Sequence, residues 1–159
     1  MATERVIILS GIPGSGKSRY ANHLAIEAGP LYAEIVSADY YFLEQYTGRY
    51  AFNPRKLGEA HACCFRRFLA ALQTGASLIL VDNTNTRYDE ISPYILGAAA
   101  WGVEATALTF MVGGPDGVNR CAARNVHGVP LAACMAMHDR LSKRVLPPWV
   151  KHEWRSVMF

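Results

Sequence analysis

Short apolar runs alternate along the chain with longer mixed stretches, and this alternation predicts strands and helices in turn. Val6-Ile7-Ile8-Leu9 is unbroken and aliphatic, as expected of a strand buried on both faces. A helix is predicted from Lys17 to Ala28, with Gly29-Pro30 as its stop signal. Tyr32 to Ser37 reads as a second strand, running out at Asp39. Asn53 as a cap and Pro54 in the first turn predict a helix from Pro54 to Gln73. Leu78 to Val81 reads as a third strand, followed by Asp82-Asn83-Thr84-Asn85. Tyr88 to Ala100 reads as helix, with Pro93 confined to its first turns or kinking it. Val103 to Val112 is a fourth strand, and Gly113-Gly114-Pro115 turns the chain into a short helix from Asp116 to Asn125. A loop from Val126 to Pro130 precedes a last helix, Leu131 to Arg144, which stops before Pro147-Pro148. Lys151 to Phe159 suits either an edge strand or a packed tail.

This order predicts a three-layer α/β fold: a mostly parallel sheet of four or five strands, helices on both faces and a small lid around residues 120–130. Residues 1–159 read as a single domain, without repeat, linker or low-complexity stretch. With 51% hydrophobic and 18% charged residues the chain can bury a core, which excludes wholesale disorder. No apolar run approaches the roughly 20 residues that cross a bilayer. The opening MATERVIILSG leads straight into a glycine-rich loop and reads as the first strand of a cytoplasmic protein rather than a cleaved signal. The net charge of +3 is compatible with a phosphate-rich ligand but does not mark a nucleic-acid binder. Cys63 and Cys64 are adjacent and Cys121 and Cys134 stand apart, which is no disulfide framework. Cys134 and His138 share a helical face, yet no second pair is spaced to complete a zinc site, so no metal cluster is expected.

The chemistry concentrates in Gly11-x-x-x-x-Gly16-Lys17-Ser18, a complete Walker A pattern between an apolar strand and a helix. Its glycines let backbone N–H groups turn inward on phosphates, and the helix that starts at Lys17 aims its positive end at the same charge. Gly11, Pro13, Gly14, Ser15, Gly16, Lys17 and Ser18 are therefore the candidate ATP-binding residues, Lys17 also serving the transferred phosphoryl group. Asp82, delivered by a strand to the carboxyl edge of the sheet, is the candidate partner of Ser18 in holding Mg²⁺; capping the following turn is its other reading. Asp39 leaves the second strand where an acceptor-activating base belongs, or is a solvated loop aspartate. Arg120 and Arg124 lie one turn apart before the lid loop, able to hold phosphates and stack on adenine, or simply to face solvent.

GIPGSGKS, SADYYF, FNPRKLGEAHACCFRRF, VDNTNT and AARNVHGVP together resemble the polynucleotide 5′-hydroxyl kinase family of P-loop proteins, in particular its small ATP-binding members. The resemblance runs from Val6 to about Trp149, and the DNTN and ARNxHGV strings are its most diagnostic parts. It implies a P-loop kinase fold with an adenylate-kinase-like core, ATP with Mg²⁺, and transfer of the γ-phosphoryl to a 5′-hydroxyl of DNA or RNA. It also implies that Lys17 and Ser18 serve the donor, Asp39 is the catalytic base and Arg124 is a lid arginine. A bacteriophage member carries a second aspartate where Tyr40 stands, an acceptor-binding arginine at Phe42 and a second lid arginine at His127; its DTN aspartate aligns with Asn83. The donor machinery thus carries over and the acceptor site does so poorly.

Arg49, Arg55, Lys56, Arg66 and Arg67, interleaved with Tyr40, Tyr41, Phe42, Tyr46 and Tyr50, have the composition of a single-strand binding surface, though aromatics in such a segment are as often core. Arg49, Tyr50, His61, Asn83 and His127 are the candidate acceptor-binding residues, His61 being open to a packing role. The sequence predicts a kinase of a nucleic-acid 5′-OH end, with a sugar, antibiotic or nucleotide-sugar kinase and a non-catalytic ATP-binding regulatory module as the rival readings.

Overall fold

The computed structural model describes residues 3, 5–29, 31–43 and 47–159. Pro30 of the helix stop and Tyr46 of the aromatic segment lie outside the described residues. Five parallel strands form one sheet in the order β2-β3-β1-β4-β5: β1 Arg5–Ser10, β2 Ala33–Val36, β3 Leu78–Asp82, β4 Glu104–Met111 and β5 Lys151–Ser156. The helices are α1 Lys17–Ala28, α2 Leu57–Thr74, α3 Tyr88–Ala100, α4 Gly114–Arg124 and α5 Leu131–Lys143.

The central strands are covered on both faces, which is why they read as unbroken aliphatic runs. Alternation along β1 and β3 splits the core. Val6, Ile8, Ile79 and Val81 pack with α2 and α3, while Ile7, Leu9, Leu78 and Leu80 pack with Tyr20, Ala21, Leu24 and Ala25 of α1. A third cluster, Ile12, Val118, Cys121, Cys134 and Leu141, wedges α4 and α5 against the loop after β1.

The predicted helix from Pro54 begins as a 3-10 turn, Pro54–Lys56, capped by Asn53, whose side chain accepts from Arg55 N–H, and continues as α2 to Gly75. Pro93 sits inside α3, past the first turn and facing solvent, and the helix runs through it to Ala100. Of the two readings for the last residues the edge strand is the structure's: β5 aligns Thr109 of β4 with Trp154. Lys151 joins it to Glu104 through a 2.6 Å ion pair. No helix among the described residues is long and apolar enough to cross a membrane.

Candidate active site

The loop between β1 and α1 is shaped by backbone conformations that side chains resist. Gly14 and Gly16 have φ of +78° and +94°, in the left-handed region. A Cβ on Gly11 would lie 2.8 Å from Ser15 Oγ and 3.3 Å from Lys17 Cδ. One on Gly14 would meet the carbonyl oxygen of Cys121 at 2.0 Å, so α4 rests directly on the loop. Glycine is thus required at both positions by close packing, and the donors the loop offers as a phosphate cradle are backbone amides and the Lys17 ammonium group.

Lys17 is buried inside that cradle, its Nζ donating to the Ile12 carbonyl at 3.0 Å and reaching Ser15 Oγ at 3.4 Å. Burial pushes its pKa below the ordinary lysine value, with Asp82 and then Asp39 pulling it back. Burial also raises the Asp82 carboxyl, against Lys17 and a hydrogen bond from the Ser18 hydroxyl. Ser18 and Asp82 are thus adjacent hard oxygen donors beside the cradle, a set that fits Mg²⁺. Cys134 is fully buried and, among the described residues, no group of three or more His, Cys, Asp and Glu side chains is arranged to hold a metal.

The DNTN string laces the loop to the sheet. Asn83 Oδ1 accepts from Ala38 N–H at 2.8 Å and its amide reaches Cys64 Sγ at 3.5 Å, fixing the turn that carries Asp39. Thr84 O accepts from Gly11 N–H at 2.9 Å, and Asn85, at φ 46°, donates to the Leu9 carbonyl at 2.8 Å. Asn83 is buried with both polar ends engaged, behind the site rather than open to an acceptor.

Asp39 stands on a 3-10 turn, Ala38–Phe42, whose preceding Ser37 side chain accepts from the Asp39 N–H. Its Oδ1 accepts from the Tyr50 hydroxyl at 3.0 Å, and its Oδ2 lies 3.4 Å from His127 Nε2, an ion pair when the imidazole is protonated. The Tyr50 and His127 rings are themselves in contact, with centroids 4.3 Å apart. Three segments distant in sequence therefore converge on one carboxylate, which is near enough to Lys17 to favour that lysine's charged form. Phe42 is buried and packs edge-on against Tyr50 and Phe52. Arg49 is exposed beside Tyr50 and His61 is half-buried on α2; no hydrogen bond or ion pair among the described residues joins either to Asp39 or Lys17. Arg67 leaves the basic segment to pair with Glu34 at 3.7 Å and cover the Tyr40 ring.

The lid is short. Asn125 stitches the loop after α4, donating to Ala122 and Val129 carbonyls and accepting from Val129 N–H at 2.9 Å. Arg124 Nε donates to the Gly14 carbonyl, so this arginine is already seated on the phosphate loop. Arg124 and Arg120 both lie over the Phe159 ring, at 4.7 and 5.3 Å from its centroid.

Two residues with no local signal complete the scaffold. Arg144, read only as a helix end, donates to Ser10 Oγ at 3.0 Å, to Thr109 Oγ1 at 2.6 Å and to the Asn85 carbonyl, tying α5 beneath the loop. Phe159 sits among the last residues, which the sequence reads as either an edge strand or a packed tail, and it follows β5 rather than belonging to it.

Residues 6–144 match the model of an AAA domain. The chain belongs to this family. A human protein, NEDD4-binding protein 2, is 37% identical over 90 residues, 57% of this chain and 5% of its own length. Among solved structures, a chain of the Pnkp1/Rnl/Hen1 RNA repair complex superposes with a TM-score of 0.69 at 19% identity, over 89% of this chain and 45% of that one. A sugar kinase from Janibacter sp. HTCC2649 superposes at 0.64 with 18% identity, over 98% and 86%. The chain thus spans a small fraction of the human relative and under half of the repair-complex chain, and its fold is that of the P-loop kinases.

Proposed function

We propose that this protein is an ATP-dependent phosphotransferase that delivers the γ-phosphoryl group to a hydroxyl, the 5′-OH end of DNA or RNA being the acceptor the motifs favour. The observation that supports the reading is a carboxylate, Asp39, held by Tyr50 and His127 and near enough to the buried Lys17 to favour that lysine's charged form. A module that only bound nucleotide would need no such base.

The residues fit ATP with Mg²⁺: amides of residues 11–18 and Lys17 would hold the phosphates, Ser18 and Asp82 the cation. When bound, this pair supplies the transferable phosphoryl group and the divalent charge. Asp39 would accept the proton of the attacking hydroxyl as its oxygen bonds to the γ-phosphorus and the bond from that phosphorus to the β,γ-bridging oxygen breaks, ADP leaving with the electron pair, while the Tyr50 hydroxyl and His127 fix the orientation of the two carboxylate oxygens. Lys17, itself buried, would neutralise negative charge on the phosphates. Arg124, held by the Gly14 carbonyl, brings a second cation to the loop. A cytoplasmic location belongs to the same proposal.

The buried Phe42 favours a second reading. It stands where the bacteriophage member carries an acceptor-binding arginine, and here that position is aromatic core. A small alcohol such as a sugar would not require that arginine. Incubating the protein with γ-labelled ATP, Mg²⁺ and panels of 5′-OH oligonucleotides and small alcohols decides between the two. Label on the 5′ end, lost with 5′-phosphorylated oligonucleotides and in Lys17→Ala, is the expected result. Label only on a small alcohol moves the function to the second reading, and absence of any transfer removes both.

A further inference from the structure

The residues that follow β5 are anchored and yet leave one large ring in the open. Val157 donates its N–H to the Met111 carbonyl at 2.9 Å and packs into the clusters under α1 and α4. Phe159, two residues on, is 52% exposed. Its ring is backed by the guanidinium groups of Arg124 and Arg120 at 4.7 and 5.3 Å. Gly117 of α4 lies against the same ring, where a Cβ would stand 3.6 Å from Phe159 Cε2, an ordinary contact distance.

The position of this ring relative to the cradle is what gives it meaning. Lys17 and Asp39 mark the end of the site where the transferred phosphoryl lies. Arg124 joins the loop at Gly14 to α4 and lies over the Phe159 ring, so the ring stands on the Gly14 side of the cradle, toward which a nucleotide whose terminal phosphate met Lys17 and Asp39 would run its other end. The end that emerges there is the sugar and base. An exposed aromatic face fixed by two cations and a tethered backbone is suited to stack a flat heterocycle, with little ordering cost on binding.

We propose that Phe159 is the base-stacking platform of the donor site, so that the segment after β5 contributes directly to nucleotide recognition. This rests on the ATP-binding reading above and adds to it a residue that discriminates a nucleoside triphosphate from a bare triphosphate.

The test is equilibrium binding of ATP and of inorganic tripolyphosphate, without acceptor, to the full chain and to its Phe159→Ala, Phe159→Leu and Phe159→Trp variants. Loss of one stacked base predicts about tenfold weaker ATP binding in Phe159→Ala and Phe159→Leu. Tripolyphosphate affinity changes less than about twofold in both, and Phe159→Trp keeps the ATP affinity while gaining a fluorescence signal that ATP quenches and tripolyphosphate does not. Unchanged ATP affinity in the alanine and leucine variants overturns the proposal. So does tighter ATP binding, which would make the ring a cover over the base site, and so does equal weakening for both ligands, which would make it structural. Wild type that binds ATP no better than tripolyphosphate leaves the phosphate loop standing and removes the platform. Wild type that binds neither removes the donor reading itself, and the platform with it.

Discussion

The two halves of the candidate site are built on different principles. The donor half is made of backbone: φ-restricted glycines, a buried lysine returning to the Ile12 carbonyl, and a helix so close that Gly14 has no room for a side chain. Its supports reach it from β3, α4 and α5 through Thr84, Arg124 and Arg144. The acceptor half is made of side chains. Asp39 is held by Tyr50 and His127, half open to solvent, and its neighbours Tyr40, Tyr41 and Phe52 are exposed rings. On the proposed function, a donor cradle fixed by backbone beside an acceptor wall of exposed side chains would let one fold serve different alcohols, because the phosphate end of every substrate pair would be the same and only the alcohol would vary.

The strongest way to break this division is to remove the base without touching the cradle. Asp39→Asn should lower kcat by about 10²- to 10⁴-fold while leaving ATP affinity within about twofold of wild type. Steady-state transfer and calorimetric ATP binding measure the two halves separately. A variant that transfers at the wild-type rate ends the assignment of Asp39 as base.

The reverse experiment damages the cradle and spares the base. Gly14→Ala pushes a methyl group to 2.0 Å from the Cys121 carbonyl oxygen at a φ of +78°. Overpacking and left-handed strain together cost about 3 kcal/mol of stability. Thermal unfolding should drop and ATP binding weaken, even though the added atoms touch no catalytic group. A full-strength Gly14→Ala protein would mean that α4 yields, and that the donor half is less fixed than its contacts indicate.

Within the acceptor half, Tyr50→Phe deletes one hydrogen bond to a carboxylate and should reduce kcat about fivefold through misorientation of Asp39. His127→Asn removes the other partner with a similar loss. Because both act on one carboxylate, the double variant should lose less than the product of the two single losses. Multiplicative losses would show that Tyr50 and His127 act on something other than Asp39.

How far each half could be read from sequence follows from the same contrast. Gly11, Gly16, Lys17 and Ser18 are contiguous, and the constraint that selects them is local backbone geometry, so the string and its neighbouring strand and helix suffice. Four of the five strands are legible as apolar runs, whereas β5, polar and exposed along most of its length, reads equally as strand or packed tail. Asp39, Tyr50 and His127 come from three segments whose meeting is set by the packing of the 3-10 turn and the lid, and no spacing announces it. Asn83 shows the limit from the other side. The string marks it as special, but whether its amide faces an acceptor or the Ala38 N–H depends on how β3 sits beside that turn. Arg144 and Phe159 carry no motif at all, because their partners are carbonyls, hydroxyls and guanidiniums more than a score of residues away.

The smallest effect concerns the charge stored in the cradle. Burial lowers the Lys17 pKa from the ordinary lysine value of 10.5, and burial raises that of Asp82 from 3.8. For Lys17 the sign is clear: the unfolded chain holds its proton more tightly than the folded one, so Lys17's contribution to stability grows as pH rises through the lowered pKa toward 10.5. A triphosphate beside the lysine favours the ammonium form and beside Asp82 favours the carboxylic acid. Binding of metal-free ATP should therefore take up protons from solution over the pH window in which either group is part-titrated. Its affinity should fall as pH rises through the lowered Lys17 pKa. Calorimetry in buffers of different ionisation enthalpy reads the uptake directly. In the acceptor half no such uptake is expected from an uncharged alcohol, so the same measurement with acceptor alone supplies the contrast. Proton release on binding metal-free ATP would show that the cradle is not the buried, charge-poor site its geometry describes.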